Sequence, residues 1–449
     1  MGRGYGLIVV ALLVGCAGGV PRPPEPSRAP EPSAVTAPEP LPRDSIGAII
    51  ERAAERERDA SLPLDEPLPA VPEGGRRIRV ALGVARGETS ISATGPWRLA
   101  EPSGSTLARI ATDVPWRIEQ RGERLRGVQG TLTTAWRAAV LTATPDAGTL
   151  LRWGGRRYRG ALLLMPTDSG ILVVNQVAFE QYLRSVVAGE IGKRTESEHA
   201  AAEAQAVAAR SYAWVKLAGN AARAYDVVAT VLDQVYGGVE AEAPVADAAV
   251  ATTLGTVLTY GARVVNAPYY SACGGTTAEA ADVWKSGNEP YLRRISDRVP
   301  GSERAWCEAA PRFRWTTSFS GDEVERLVSR YLANGAAVRV RGAAVTGSTP
   351  GGRASGIAFE TSRGRLEARG NELRFVLRKG GELLGSTWVD LEPQLGADGE
   401  LTGLLVRGRG YGHGVGMCQW GAIGRARAGH DYRAILAAYY PGTQLRRVE

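Results

Sequence analysis

Short apolar segments alternate with glycine and polar turns from Arg76 to about residue 175. Segments such as IRVALGV, YRGALLLM and ILVVN have the length and the branched apolar content of β-strands. The pattern changes at residues 177–188, VAFEQYLRSVVA, where apolar residues recur with helical spacing. The sequence therefore predicts a β-rich unit over 76–175 that is followed by helices.

The strongest helical pattern follows Thr195. Thr195 and Glu198 fit a capping box, and an alanine-rich run extends from there to about Leu217. Short strands and loops are predicted over 225–300, a helix over 320–334, short strands again over 338–406, and a helix over 432–440. These patterns predict an α+β fold with a β-rich N-terminal part, an alanine-rich helical segment and a short-stranded C-terminal part.

The N-terminus predicts export. Residues 7–15, LIVVALLVG, follow a basic end and are shorter than the roughly 20 apolar residues that span a bilayer. The sequence LVGC resembles a lipoprotein box, so we expect a signal peptide at 1–16 and lipidation of Cys16. A plain secretory signal with an incidental cysteine is the alternative. Ala17, rather than Asp, follows Cys16, and by analogy this favours the periplasmic face of an outer membrane.

Residues 17–75 are rich in proline and predict an extended tether with one short helix at 45–60. The whole chain has 449 residues, a net charge of +7, 44% hydrophobic and 22% charged residues, which is typical of globular proteins. The positive charge is not concentrated in one run, so nucleic-acid binding is not expected.

Glu190 closes an apolar stretch, SVVAGEI. Apolar surroundings raise the pKa of a carboxyl group because burial disfavours its charged form. A Glu that is protonated near neutral pH can give its proton to a glycosidic oxygen. On spacing alone, a helix-end Glu that caps or pairs with Lys193 or Arg194 is the favoured alternative.

Cysteines beyond Cys16 lie at Cys273, Cys307 and Cys418. In an exported protein we expect a disulfide between Cys273 and Cys307, with Cys418 left over. A zinc site of the three cysteines and His413 is arithmetically allowed but less favoured, because no His lies near Cys273. A thiol nucleophile at Cys273 is less favoured still, since a basic partner is missing nearby.

Glycines surround His413 in the segment GRGYGHGVGMCQWGA. This composition indicates that the backbone approaches a ligand or another segment closely. The alternative is a tight structural loop with His413 hydrogen-bonded inside. The segment does not match a dinucleotide-binding fingerprint.

Several motifs together resemble the SpoIID/LytB family, the group of sporulation stage II protein D and the amidase enhancer. They are VVAGE followed by EAQAVAARSYA, then YDVVATVLDQVYGG, SACGGTTAEAADVW with PYL, GRGYGHGVGMCQWGA and YYPGT. The resemblance extends from about Arg76 to the end, so we expect one family-like domain over 76–449. Its expected parts are β-rich 76–175, a catalytic core at 176–320, an inserted β-rich part at 321–407 and the glycine-rich end at 408–449.

The resemblance implies a lytic transglycosylase that cuts peptidoglycan between N-acetylmuramic acid and N-acetylglucosamine, with Glu190 as its one acid and base and a 1,6-anhydro product. The competing chemistry is hydrolysis with two carboxylates, for which Asp226, Asp233 and Asp282 are the candidates. A different class is a wall-binding protein without activity that enhances an N-acetylmuramoyl-L-alanine amidase. A structural scaffold with an ion-paired Glu190 is the third.

We further expect Arg210 and Tyr212 to shape the site, and four side chains, together with Gln419, to contact the glycan: Gln234, Tyr236, Thr276 and His413. Each of them could equally be a core residue. Some family members bind Zn near the SACGG position with His and Cys, but no His is present there, so no cofactor is expected. The expected partners are glycan strands and an amidase.

Overall fold

The computed structural model describes residues 61–63, 75–111, 113–138, 140–284 and 289–448. The predicted signal peptide, Cys16 and the predicted helix at 45–60 lie outside these residues. Within the described residues, no helix is both long and apolar enough to cross a membrane.

The N-terminal part is built from strands, as its alternating pattern predicts. The strands are β1 Ser61–Pro63, β2 Arg77–Ala85, β3 Glu88–Ala93, β4 Trp97–Ala100, β5 Thr106–Ile110, β6 Trp116–Arg121, β7 Arg124–Gln129, β8 Leu132–Thr133, β9 Leu141–Pro145, β10 Leu151–Trp153, β11 Arg156–Tyr158, β12 Ala161–Thr167 and β13 Gly170–Ala178. Most of them form two sheets, one in the order β11-β10-β3-β6-β7-β8 and one that contains β2-β13-β12-β9-β4-β5. Ile78, Trp97, Ile118 and Leu162 are among the buried side chains of this part.

The middle part contains the two longest helices among the described residues. Its helices are α1 Phe179–Ile191, α2 His199–Gly219, α3 Pro244–Thr252 and α4 Ala280–Val283, with 3-10 turns at Glu196–Glu198 and Gly238–Ala241. Its strands are β14 Val227–Val228, β15 Thr256–Tyr260, β16 Arg263–Val265 and β17 Tyr269–Tyr270. The alanine-rich α2 is buried over most of its length, as its small side chains predict.

The C-terminal part returns to short strands. They are β18 Arg314–Ser320, β19 Val340–Ser348, β20 Ala354–Thr361, β21 Gly364–Arg369, β22 Arg378–Lys379, β23 Glu382–Leu383, β24 Val389–Leu395, β25 Leu401–Arg409, β26 Met417–Cys418 and β27 Gln444–Arg447. The helices are α5 Gly321–Tyr331, α6 Glu372–Val376, α7 Gln419–Arg427 and α8 Tyr432–Tyr439. The α+β class is thereby confirmed.

Residues between Phe319 and Val406 pack around a hydrophobic core of their own. The chain then returns to the main core, because Val415, Met417, Ile423 and Tyr440 are buried there with α1 and α2. β26 pairs in parallel with β17, and β27 pairs with β15. The last segment therefore pairs and packs with the middle part.

Two local expectations differ from the structure. Residues 61–63 were expected in the tether, but they form β1, which pairs with β16 in an antiparallel register. Residues 244–252 were expected in strands and loops, but they form α3, which begins with Pro244 in its first turn. Proline fits the first helical turn because the amide hydrogen that it lacks has no partner there.

Candidate active site

Glu190 lies near the end of α1, against the segment that follows α2. Its Oε1 accepts a hydrogen bond from the backbone N–H of Val235 at 2.6 Å. The preceding residue must be small, because a Cβ atom on Gly189 would lie 2.9 Å from the carbonyl oxygen of Val235. The motif AGE thus brings the carboxyl group against a fixed backbone donor.

Gln419, the first residue of α7, lies on the other side of the carboxyl group. Its Nε2 is 3.5 Å from Oε2 of Glu190 and 3.3 Å from Oε1 of Gln205 on α2. The Gln205 side chain is fully buried, and within the described residues its Nε2 has no hydrogen-bond partner. Gln205 therefore fixes the amide of Gln419 so that the NH₂ group points at Glu190.

Tyr269 on β17 is the third donor to Glu190. The Nε2 of Gln234 donates to the hydroxyl oxygen of Tyr269 at 2.8 Å, and Tyr182 donates to the Oε1 of Gln234 at 2.7 Å. Because the Tyr269 oxygen already accepts one proton from Gln234, its own hydrogen is left for Glu190. A hydrogen bond from Tyr269 to Glu190 lowers the pKa of the carboxyl group.

Burial nevertheless raises the pKa of Glu190 to about 7, against the opposing effect of hydrogen bonds from Val235, Gln419 and Tyr269. The predicted alternative, a Glu paired with Lys193 or Arg194, is not what the structure shows. Arg194 lies 3.5 Å from Glu198 instead, and among the described residues no cation forms an ion pair with Glu190. The carboxyl group is therefore one that can hold a proton near neutral pH.

His413 positions Tyr269 through the backbone. Its Nδ1 accepts from the N–H of Val415 at 3.1 Å, so its Nε2 carries the hydrogen and donates to the carbonyl oxygen of Tyr269 at 3.0 Å. The ring lies between Tyr270 and Trp284, with centroids 5.2 and 5.3 Å away. Burial lowers the pKa of His413 to about 3.

The glycines around His413 let the backbone of this segment lie close to another segment, as their number predicts. A Cβ atom on Gly416 would lie 2.0 Å from the carbonyl oxygen of Pro268. The segment consequently lies directly against β17. This contact brings Gln419 and Tyr269 to the same carboxyl group.

The remaining predicted residues are not hydrogen-bonded to Glu190. Arg210 is buried and donates to both carboxylate oxygens of Glu180 at 2.8 Å. The hydroxyl of Tyr212 donates to Asp233, and that of Tyr236 donates to Asn175. Thr276 is partly exposed and pairs through its backbone with Ser296.

Two of the three candidate second carboxylates are engaged away from Glu190. Asp226 is paired with Arg79, and Asp233 accepts from the N–H of Val228 and the hydroxyl of Tyr212. Asp282 lies in α4 and is partly exposed. Among the described residues, no second carboxylate is hydrogen-bonded to Glu190.

The cysteine expectation needs correction. Cys273, Cys307 and Cys418 are free thiols, and the sulfurs of Cys273 and Cys307 are 3.3 Å apart, well beyond the roughly 2.05 Å of a disulfide bond. All three cysteines cluster with the carboxylate of Asp297. His413 is not part of this cluster, because both of its ring nitrogens are engaged elsewhere.

Sequence reasoning found Glu190, Gln234, His413 and Gln419 but missed Tyr269, Gln205 and Asp297. Tyr269 lies two residues before the SACGG motif, and Gln205 lies inside EAQAVAARSYA. Both could have been chosen as polar residues within or beside motifs. Asp297 carried no such signal, because it lies in a loop outside every motif.

Comparisons with known proteins agree with the motifs. Residues 167–260 match the family model described as Stage II sporulation protein (SpoIID), and residues 301–416 match a domain of unknown function (DUF8618). An uncharacterized protein of Brachyspira hyodysenteriae is 28% identical over 380 residues, which cover 82% of this chain and 92% of that protein.

Two Bacillus subtilis proteins are also similar. Stage II sporulation protein D is 28% identical over 291 residues, which cover 62% of this chain and 76% of that protein. The amidase enhancer is 29% identical over 282 residues, which cover 55% of this chain but only 38% of that protein. The resemblance to the SpoIID/LytB family is thereby confirmed.

Proposed function

We propose, from this SpoIID/LytB resemblance and the geometry around Glu190, that the chain is a lytic transglycosylase of peptidoglycan glycan strands. The observation that carries the proposal is a single carboxyl group with a pKa of about 7, held by three donors from separate segments. Cleavage with internal ring closure needs only one group that acts first as an acid and then as a base. Hydrolysis would need a second carboxylate.

In the first step Glu190 acts as the general acid. A pKa of about 7 leaves roughly half of the carboxyl groups protonated at neutral pH. The proton passes to the glycosidic oxygen between N-acetylmuramic acid and N-acetylglucosamine as the bond from that oxygen to the muramyl anomeric carbon breaks. The carboxylate that forms accepts hydrogen bonds from Val235, Gln419 and Tyr269, so its new charge is stabilised.

In the second step the same carboxylate acts as the base. It takes the proton from the 6-hydroxyl of the muramyl residue, whose oxygen attacks the anomeric carbon. The product is a 1,6-anhydro ring, and Glu190 returns to its protonated form. No water is consumed, so these two steps need no second carboxylate.

A role at the cell wall requires export. The signal peptide at 1–16, a lipid on Cys16 and a place at the outer membrane remain predictions, because these residues are outside the described ones. The glycan strand is the proposed substrate. Gln234, His413 and Gln419 are already hydrogen-bonded inside the site, so their proposed contacts with substrate are limited to the atoms that these bonds leave available. Substrate contacts of four other side chains stay proposals: Arg210, Tyr212, Tyr236 and Thr276.

The second candidate function is enhancement of an amidase without glycan cleavage. It is favoured by the match to a protein named amidase enhancer. Under this alternative the same surface would bind the wall, and the raised pKa of Glu190 would have no chemical use.

Product analysis separates the candidates. The full chain is incubated with purified glycan strands, both intact and stripped of peptides, and the ends are identified by mass spectrometry. We expect ends that are one water lighter than hydrolysed ones. Water-added ends would contradict the transglycosylase, and unchanged strands together with faster amidase turnover would favour the enhancer.

A further inference from the structure

Two exposed apolar side chains lie next to each other close to the candidate active site. Val231 is 77% exposed and Leu232 is 44% exposed. Among the exposed large apolar side chains of the described residues, they are the only two that are neighbours in sequence. Isolated exposed apolar residues are common on protein surfaces, but an adjacent pair forms a small apolar surface that a ligand can cover.

The pair occupies the tip of a β-turn. The N–H of Asp233 donates to the carbonyl oxygen of Thr230 at 3.1 Å, so Val231 and Leu232 are the two central residues. Central positions of turns most often hold glycine, proline, asparagine, aspartate or serine, each of which favours the turn for its own physical reason. Neither valine nor leucine does so, and turn formation therefore does not account for this pair.

Asp233 fastens the turn to its surroundings. Its Oδ2 accepts from the N–H of Val228 at 2.9 Å, and its Oδ1 accepts from the hydroxyl of Tyr212 on α2 at 2.8 Å. The ammonium group of Lys216, also on α2, lies 3.8 Å from Oδ1. A turn that is already fixed loses little conformational freedom when a ligand binds, so the apolar pair is preorganised.

The turn leads directly into the segment that contacts Glu190. Gln234, the next residue, donates to Tyr269, and the N–H of Val235 donates to Oε1 of Glu190. Three chain steps separate Leu232 from Val235, which places their Cα atoms at most roughly 11 Å apart. A polymer whose scissile bond lies at Glu190 therefore has a neighbouring unit within reach of the turn.

The chemistry of the two side chains selects the part of a glycan strand that they can contact. Both are aliphatic and offer no hydrogen bond to a hydroxyl or a carboxylate. The most apolar groups that a strand of N-acetylmuramic acid and N-acetylglucosamine presents are the methyl groups of its N-acetyl substituents. Contact between these methyl groups and aliphatic side chains removes apolar surface from water, which is favourable.

We propose that Val231 and Leu232 form a binding subsite for the N-acetyl methyl groups of a sugar next to the scissile bond. The inference rests on the proposed function for the identity of the polymer, and it adds which group of that polymer is recognised beside Glu190. Neither side chain can transfer a proton or stabilise a charge. Loss of the subsite should therefore weaken the binding of substrate and transition state equally.

Binding of peptide-stripped glycan strands is measured with the full chain carrying Glu190→Gln, so that no strand is cleaved. Adding Val231→Ser and Leu232→Ser, the double variant, should weaken binding about tenfold, because two aliphatic contacts are lost. Leu395→Ser is the matched control, since Leu395 is 57% exposed and lies on β24. Equal affinity of the double variant and the control, or no binding by Glu190→Gln, would overturn the proposal.

A matched ligand identifies the group that is recognised. Strands whose acetyl groups are replaced by formyl groups lack the methyl group and keep the amide. They should bind Glu190→Gln about tenfold more weakly than N-acetylated strands, and this difference should vanish in the double variant. Equal binding of both kinds of strand to Glu190→Gln, or a preference that survives in the double variant, would contradict the subsite.

Kinetics separate the subsite from a structural role of the turn. With Glu190 intact, the double variant should raise KM for glycan about tenfold and leave kcat and the product ends unchanged. A fall in kcat at unchanged KM would show that the turn acts by positioning Val235, and it would overturn the proposal. If the wild type cleaves no glycan, the transglycosylase fails, whereas the binding measurements still decide the subsite.

A second copy of the chain is the other occupant that the apolar pair could contact. Sedimentation of the wild type and the double variant measures the oligomeric state of each. The glycan subsite predicts the same state for both proteins. A dimer that the wild type forms and the double variant loses would assign the pair to a contact between chains and would refute the proposal.

Discussion

At the scale of single residues, the pKa of Glu190 is set by a balance between burial and hydrogen bonding. Burial favours the neutral acid, whereas the donors Val235, Gln419 and Tyr269 favour the carboxylate, and the result is a pKa of about 7. A group in this balance can both release and regain a proton at neutral pH. Small changes in its donors should therefore move the pH dependence of activity.

Replacement of Gln419 by Met should move the alkaline limb of the pH–activity profile upward. The hydrogen bond from Gln419 lowers the pKa of Glu190, so its loss lets the carboxyl group stay protonated to higher pH. We expect a shift of roughly half to one pH unit. Glycan cleavage measured from pH 5 to 9 tests it against the exposed Gln394→Met as control; an unshifted or lowered limb would contradict it.

His413 should remain neutral throughout the physiological range. Burial lowers its pKa to about 3, and its contacts fix the tautomer with hydrogen on Nε2. Imidazole NMR signals recorded from pH 5 to 8 should include one set that does not move. Its absence from the spectrum of His413→Gln assigns it, and a midpoint near pH 6.5 for that set would show the account of His413 to be wrong.

At the scale of elements, Arg210 connects α1, α2 and the start of β15. It pairs with Glu180 on α1 and donates to the carbonyl oxygens of Val250 and Thr256. Arg210 belongs to the motif EAQAVAARSYA, yet its place in the core gives it a structural role that requires no contact with a substrate. Sequence spacing alone could not separate these roles, because the partners lie 30 to 46 residues away.

Arg210→Met should therefore lower stability and leave the chemistry of the folded protein intact. Loss of the ion pair and of the donors to buried carbonyls should cost about 3 kcal/mol of the free energy of unfolding. Urea denaturation measures this loss, with the exposed Arg365→Met as the control. Normal stability combined with a large rise in KM for glycan would instead place Arg210 at the substrate.

Elements with strong local patterns were predictable. The β-rich part, α2 after its capping turn and α5 after Ser320 follow from periodicity and capping. The strand at 61–63 was missed because it ends in Pro63, more prolines follow it, and its partner β16 lies about 200 residues away in sequence. The helix at 244–252 was missed because it is short, although Pro244 marked its start.

At the scale of the whole molecule, the described residues form two large hydrophobic cores and one small cluster. One core spans the N-terminal sheets, the helices around Glu190 and the last segment, and the other lies between Phe319 and Val406. The chain leaves the main core and returns to it as β26 and α7. The site therefore joins residues more than 200 positions apart, such as Glu190 and Gln419.

The return of the last segment to the main core explains what the sequence could and could not predict about the site. The motifs around Glu190, Gln234 and His413 marked chemically suitable residues. The convergence of Tyr269 and Gln419 on one carboxyl group depends on the parallel pairing of β17 with β26, for which periodicity gives no signal. The grouping of Asp297 with three cysteines arises in the same way.

The most direct test of the central claim is a comparison of Glu190→Gln with Glu196→Gln on peptide-stripped glycan strands. Glu196 is an exposed acid in the same region, so the two changes are chemically matched. Wild type and Glu196→Gln should release 1,6-anhydro ends at equal rates, whereas Glu190→Gln should be slower by at least about 10² with an unchanged fold. Cleavage by Glu190→Gln at the wild-type rate would contradict the account.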